Sequence, residues 1–177
     1  TSERVFIDDT LSQAIQEEIK QVRPVLTYFV NGISHADRST PYSFISTMKN
    51  SDLKNQEIVL NSWVANDILV QEGDSITITY YISGPLRKLT TRSARFKVSD
   101  IVAIQGKYSD RTLMPDFPGL SDVNNCRDWH TGIPIDLKKI RDKDEDYWDS
   151  YRGTPKGFIN LEKAVELWRN RYGSYTS

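Results

Sequence analysis

The nine residues from Ser75 to Ser83, SITITYYIS, constrain the fold most: Ile76, Ile78, Tyr80 and Ile82 alternate with Thr77, Thr79 and Tyr81. A strict period of two sends one set into a core and leaves the other half wet, so the chain must build a sheet with a buried face. The preceding residues agree. Glu57 to Leu60 (EIVL) reads as a short strand, Asn61 caps a helix bearing Trp63, Val64, Ile68 and Leu69, and Val70 to Asp74 turns the chain back through Gly73. Gly84 and Pro85 break the pattern, after which Leu86 to Ile104 reads as one or two strands with Phe96, Val98, Val102 and Ile104 inward; Gly106 closes this β-rich half.

Before this block, Thr10 to Val22 carries Leu11, Ala14, Ile15, Ile19 and Val22 at helical spacing, with Asp9 or Thr10 as cap and Gln13 completing a capping box. Pro24 ends that helix and Val25 to Val30 (VLTYFV) is a strand buried on both faces. From Ile33 to Leu53 polar and turn residues dominate, which predicts a long surface excursion with one short strand near Tyr42 to Ile45. Tyr108 to Arg152 changes character, with three prolines, ten acidic and seven basic side chains, and one helical period over Asp142 to Tyr151. Gly157 to Ile159 then returns as a strand, and Asn160 caps a helix with Leu161, Ala164, Val165 and Trp168 that Gly173 stops. The expected fold is α+β: a discontinuous mixed β-sheet core with packed helices, formed by residues 1–107 and 153–177, with an irregular lobe, 108–152, inserted in it.

Charge excludes some partners. With 23 basic and 24 acidic residues the net charge is -1, so the field that draws nucleic acid is missing. The longest run without a charged side chain, Pro24 to Ala36, is 13 residues, short of the ~18 a membrane-spanning helix needs. The first residue is Thr1 rather than Met, which reads as a processed product or an excised piece. One cysteine, Cys126, permits no internal disulfide.

Few patterns carry chemistry. Cys126 and His130 are four apart with His35 remote, so no tetrahedral metal set closes, and a buried thiol with an ordinary histidine fits better. Asp142, Asp144 and Asp146 mimic the start of a calcium loop, but Tyr147 stands where the turn glycine belongs and Gly153 where the bidentate carboxylate belongs. No Gly-x-Ser-x-Gly elbow and no phosphate-binding glycine loop occurs. Carboxylates at Asp116, Asp122, Asp128, Asp144 and Glu145, with Trp129, Tyr147, Trp148 and Tyr151 nearby, suit an acid and base in a sugar cleft, yet acids interleaved with Lys138, Lys139, Arg141 and Lys143 are more often a solvated helix face. Trp63 and Trp168 lie on amphipathic faces and are assigned to packing; Trp129 and Trp148 fit either packing or binding.

The run Glu57 to Gly106 resembles the extracytoplasmic domain of FtsX-like, MacB-type ABC transporter permeases, with Asn61, Ala65, Gly73, Asp74, Phe96, Val98 and Ile101 in the places that pattern uses. LMPDFPGLSD, CRDW, GIPIDL, IRDKDEDYW, YRGTPKGFINL and ELWRNRYG resemble a bacterial subset of the same permeases; together these stretches cover about two thirds of the chain. The resemblance implies a discontinuous α+β core with an inserted lobe, held between the first and second transmembrane helices of a cell-membrane permease on its extracytoplasmic (periplasmic) side. It implies no catalysis and no cofactor. Expected partners are the transmembrane helices of the same permease, a separate cytoplasmic ATP-binding subunit and a periplasmic protein or substrate. The candidate partner or ligand surface is Trp129, Asp142, Asp144, Glu145, Tyr147 and Trp148. Under this reading Thr1 and Ser177 lie on the same side of the domain. The alternative is a secreted carbohydrate-binding or glycan-processing module stacking sugar on Trp129, Tyr147 and Trp148, which requires those rings exposed and coplanar. A further alternative, an enzyme built on a carboxylate pair, requires raised carboxyl pKa values in a cleft.

Overall fold

A computed structural model describes residues 5–19, 24–48, 53–84, 88–170 and 172–176. Six strands, β1 (Thr27–His35), β2 (Arg38–Thr47), β3 (Glu57–Asn61), β4 (Ser75–Ser83), β5 (Leu89–Val102) and β6 (Gly157–Ile159), close into a barrel in the order β1-β2-β6-β3-β5-β4. Four helices accompany it: α1 (Asp9–Glu18), α2 (Ser62–Ile68), α3 (Asp142–Tyr151) and α4 (Leu161–Trp168). Short 3-10 turns carry parts of the connection between β5 and β6.

The closed barrel corrects the expected α+β fold, a discontinuous mixed β-sheet core with packed helices. Two hairpins, β1/β2 and β4/β5, pair antiparallel over most of their length, and the cylinder closes where Gly32, Ile33 and Ser34 meet Thr79, Ile78 and Thr77. On the other side β6 fits between β2, to which it is parallel, and β3, to which it is antiparallel, while β3 runs parallel to β5. Strand periodicity identifies faces but not partners, and closure here depends on the strand that periodicity hides. Within the stretch expected as a surface excursion, the short strand expected near Tyr42 to Ile45 is there, but it belongs to β2, ten residues long and buried from Tyr42 onward. Hydroxyl side chains can stand here in place of aliphatic ones where they find partners: Thr27 Oγ1 and Ser46 Oγ share a hydrogen bond of 2.7 Å, and Thr47 Oγ1 accepts from the Leu26 N–H at 3.1 Å, whereas the buried Ser43 hydroxyl has none. Pro41, which cannot donate to a ladder, sits where β2 has β1 on one side only, since β6 begins to pair at Ile45.

The interior is aliphatic. Val30, Ile45, Ile58, Leu60, Ile78 and Ile159, from five strands, are wholly buried, and Gly157 leaves the space that the Ile45, Ile58 and Leu60 side chains fill. The alternation in β4 works as expected, with Ile76, Ile78 and Tyr80 inside. Of the inward set expected in β5, Phe96 and Val98 are buried while Val102 and Ile104 are only half-buried. Trp168 of α4 stacks on Tyr28 at 5.0 Å and meets Tyr80 edge-on at 6.0 Å, filling the gap where β1 and β4 have parted. Asn61 and Asn160 cap α2 and α4 as expected, accepting from Val64 N–H and from Glu162 and Lys163 N–H. Asp8, rather than Asp9 or Thr10, caps α1, accepting from the Thr10 N–H. That helix stops at Glu18 with Ser12 as its buried residue and Leu11 and Ile19 exposed; Val22, expected in its apolar face, lies outside the described residues.

The two ends of the described chain meet. Ile7 and Tyr175 form an antiparallel bridge with Ile7 N–H donating to Tyr175 C=O at 2.8 Å, and Thr176 N–H donates to Val25 C=O at 2.8 Å. Gly173, at φ 146°, makes the turn, and a Cβ there would collide with the Ile7 carbonyl. Thr1 and Ser177 themselves lie outside the described residues.

Candidate functional site

The residues between β5 and β6 lie against the outside of β1 and β2 through a second apolar cluster. Phe29, Tyr42 and Phe44 come from the barrel, and Leu120, Cys126, Trp129, Ile140 and Trp148 from the connection. Trp129 meets Trp148 edge-on at 5.2 Å and Phe29 at 5.9 Å, and Tyr42 Oη accepts from the Asp136 N–H at 2.6 Å.

Beside this cluster a charged seam ties α3 to α2 and β2. Arg141 precedes α3, and Asp144 reaches back to it, accepting from the Arg141 backbone N–H (2.9 Å), Nε (2.8 Å) and Nη2 (2.7 Å). The same guanidinium donates to Asp67 Oδ2 at 2.6 Å and to the Ser39 carbonyl at 3.2 Å. Asp67, near the end of α2 and with its side chain 2 % exposed, also takes Lys143 and the Thr40 hydroxyl. Burial alone would raise its carboxyl, but donation from Lys143, Thr40 and Arg141 outweighs that and holds it below the usual carboxylate range. Arg141 is held charged, first by its hydrogen bonds to Asp144 and then, against its desolvation, by those to Asp67.

Asn61 links the seam to the barrel. Its Oδ1 caps α2 while its Nδ2 donates to Tyr147 Oη (3.0 Å) and to Pro155 C=O (3.3 Å), and Tyr147 Oη donates onward to Thr154 C=O at 2.9 Å. Burial pushes the Tyr147 phenol well above its ordinary value, so it stays a donor. Next to it Lys156, 4 % exposed, holds its ammonium 4.3 Å from the Trp63 ring centre and 4.6 Å from that of Tyr147. Two π faces offset part of the cost of taking that charge from water. Desolvation still lowers it to about 8, the neighbouring Asp144 acting in the opposite direction.

The six residues expected as a partner or ligand surface are brought together on and beside α3, but most do not face outward. Trp129, Tyr147 and Trp148 are 7 %, 4 % and 4 % exposed, so these rings form no open platform for a sugar. Asp144 is buried in its ion pair, and Glu145 clamps the turn Cys126–Asp128 by accepting from the Cys126 N–H (2.9 Å) and the Arg127 N–H (3.0 Å). Asp142 alone of the six is fully outward, paired with Arg127 at 2.6 Å. Cys126 is buried, and its thiol is raised by desolvation first and by Glu145 second. His130 and His35 bond through Nδ1 to the Asp128 and Ser75 carbonyls, and among the described residues no three of His, Cys, Asp or Glu gather as metal ligands.

Sequence reasoning missed Asp67, Arg141, Thr40 and Lys156. Asp67 had a visible signal, the one acid on a capped helix that also bears Trp63, Val64, Ala65 and Ile68; Lys156 had a weaker one, a lone cation abutting the apolar strand Gly157–Ile159. Outside the barrel a concavity of about 580 Å³ crosses β1, β2, β4 and β5, lined by hydroxyls such as Ser34, Thr79 and Thr91 together with Lys139 and Arg141. Among the described residues no helix is long and apolar enough to cross a membrane. In comparisons with known proteins, no family model and no curated protein matches the chain.

Proposed function

We propose that this chain is the extracytoplasmic domain of a bacterial ABC transporter permease, which performs no chemistry of its own. It binds a substrate or partner protein and relays the motion of two flanking transmembrane helices driven by a separate cytoplasmic ATPase. The observation that supports the reading is the junction of the described chain's ends: the Ile7–Tyr175 bridge brings the first and last described segments to one spot, as suits a domain hung between two helices of one membrane. The motif resemblance adds the class of protein. The seam adds rigidity, because Asp67, Arg141 and Asp144 bind α3 to the barrel, and a rigid body can pass on a displacement that a loose one absorbs. Asp144 and Glu145 are engaged in holding the fold, which is the use this reading gives them. The face left to a partner is the outward side of α3, where Asp142, Asp146 and Asp149 are exposed.

The test is topology in the natural protein. With exposed Asp37 replaced by cysteine, a membrane-impermeant maleimide is expected to label intact spheroplasts, and an ATP-binding subunit to copurify with the labelled protein. Labelling only after the cytoplasmic membrane is opened contradicts the proposal.

A further inference from the structure

Four strands present one polar outer face. Along β4, Ile76, Ile78 and Tyr80 point into the barrel, so Thr77, Thr79 and Tyr81 point out; in β5 the buried Phe96 and half-buried Ala94 leave Ser93 and Arg95 outward. The ladders carry this face across the sheet. Ser39 lies opposite Ser34, Ser34 opposite Thr77 and Thr77 opposite Arg95, while in the next row Pro41, Gly32, Thr79 and Ser93 are successive partners. Directly opposed side chains share a face. Gly32 brings no side chain and Pro41 a short one, so the face sinks there into the concavity of about 580 Å³, a size usual for ligand pockets.

The lining has a definite chemistry. Asn31, Ser34, Ser39, Thr79, Tyr81 and Thr91 offer amide or hydroxyl groups, Lys139 and Arg141 stand at the β2 side, and no carboxylate is among the lining residues. The opposite side is cationic too, because from Ser75 to Ser99 the sequence holds five basic residues and no acidic one. Arg141 has no donor left, its five N–H groups going to Asp67, Asp144 and the Ser39 carbonyl. The Lys139 ammonium and the Arg95 guanidinium, both exposed, have no ion pair or hydrogen bond among the described residues.

A ligand complementary to this face carries negative charge at two sides and hydrogen-bonding groups between them. Phosphate esters are held best by a free guanidinium fork, and the one fork in the lining is engaged; a single ammonium suits a carboxylate. The two cationic sides stand across β2, β1, β4 and β5, three gaps or about 14 Å apart, which is the reach of a short sugar chain rather than of one sugar.

We propose that this concavity binds a short acidic glycan, with uronate carboxylates on Lys139 and Arg95 and sugar hydroxyls on Ser34, Ser39, Thr79 and Thr91. The inference is independent of the membrane reading and uses a surface apart from the buried rings of Trp129, Tyr147 and Trp148.

Amide NMR spectra of the chain titrated with α-1,4-linked trigalacturonate at constant ionic strength test it. Shifts are expected at Gly32, Ser34, Thr79 and Thr91 and none at Gly157–Ile159, across the barrel. Maltotriose, the same linkage without carboxylates, and tricarballylate, three carboxylates without hydroxyls, should each bind about tenfold more weakly. Lys139→Gln and Arg95→Gln, at exposed positions, should each weaken trigalacturonate about fivefold and leave the unfolding midpoint unchanged. No shift at those four amides with about 10 mM trigalacturonate, equal affinity for either control, or unchanged affinity in both variants overturns the proposal.

Discussion

The barrel interior and the seam beneath α3 are both buried, but they are built from opposite materials. In the barrel, Val30, Ile45, Ile78 and Ile159 fill space with hydrocarbon and have no hydrogen bonds to satisfy. In the seam, Asp67, Arg141 and Asp144 pair with one another and Lys156 lies against two aromatic rings; three buried donors there, on Ser43, Trp129 and Trp148, lack partners, against one, Trp168 Nε1, beside the barrel core. The first arrangement is insensitive to pH and salt, since no charge changes in it. The second depends on both, and its stability rests on pairings that single substitutions can undo. The difference locates any adjustable part of this protein at the seam.

The comparison breaks first if a barrel residue can be removed cheaply. Trp168→Ala takes out a wholly buried ring that closes the gap between β1 and β4, and its cost in a denaturant titration should be about 3–5 kcal/mol, equal at pH 6 and pH 9.

A seam residue should behave otherwise. The Lys156 ammonium has a folded pKa of about 8 against 10.5 for the free side chain, so between these values the unfolded chain holds more protons and stability rises with pH. Below pH 8 the cost of burying the charge is present in full. Relative to Lys156→Met, wild type should therefore gain about 3 kcal/mol between pH 8 and 10.5. The comparison with the variant removes the opposing effect of Cys126, whose folded-state thiol is raised. A flat difference would place Lys156 among the inert residues.

Asp67→Asn should have the smaller effect, because Arg141 keeps Asp144 and both of the cations on Asp67 are partly exposed. A loss of about 2 kcal/mol at neutral pH is expected. The Asp67 carboxyl is depressed in the fold, so its contribution is present above the ordinary value of 3.8 and is lost as pH falls through the lower folded value. The variant should flatten that acid limb, and hydrogen exchange in α3 should rise more than in β4.

What the sequence disclosed follows the same division. The elements around Ser75 to Ser83 were legible because alternation and the caps Asn61 and Asn160 are local signals, and Asp142–Tyr151 was legible as a helix by its period. β2 was legible only as a short strand near Tyr42 to Ile45, because Ser46 and Thr47 are hydrophilic by composition and become core only when Thr27 and Leu26 stand opposite. Closure of the sheet was lost with it. In the seam the residue types were noticed but their direction was not: the rings of Trp129, Tyr147 and Trp148 were expected as a surface and lie inside, since α3's period does not reveal which face meets β2. Lys156 was invisible because its two rings come from positions 93 residues before it and 9 before it, Trp63 and Tyr147.

The membrane reading rests most heavily on the two ends of the described chain meeting at one point. Cross-linking measures this with two substitutions, Ile7→Cys and Tyr175→Cys, because partners in an antiparallel bridge have Cα atoms about 4.5–5.5 Å apart, within the range a disulfide spans. Mild oxidation of the folded double variant should close one disulfide and leave Cys126 as the single free thiol after unfolding. Three free thiols after the same treatment would contradict it.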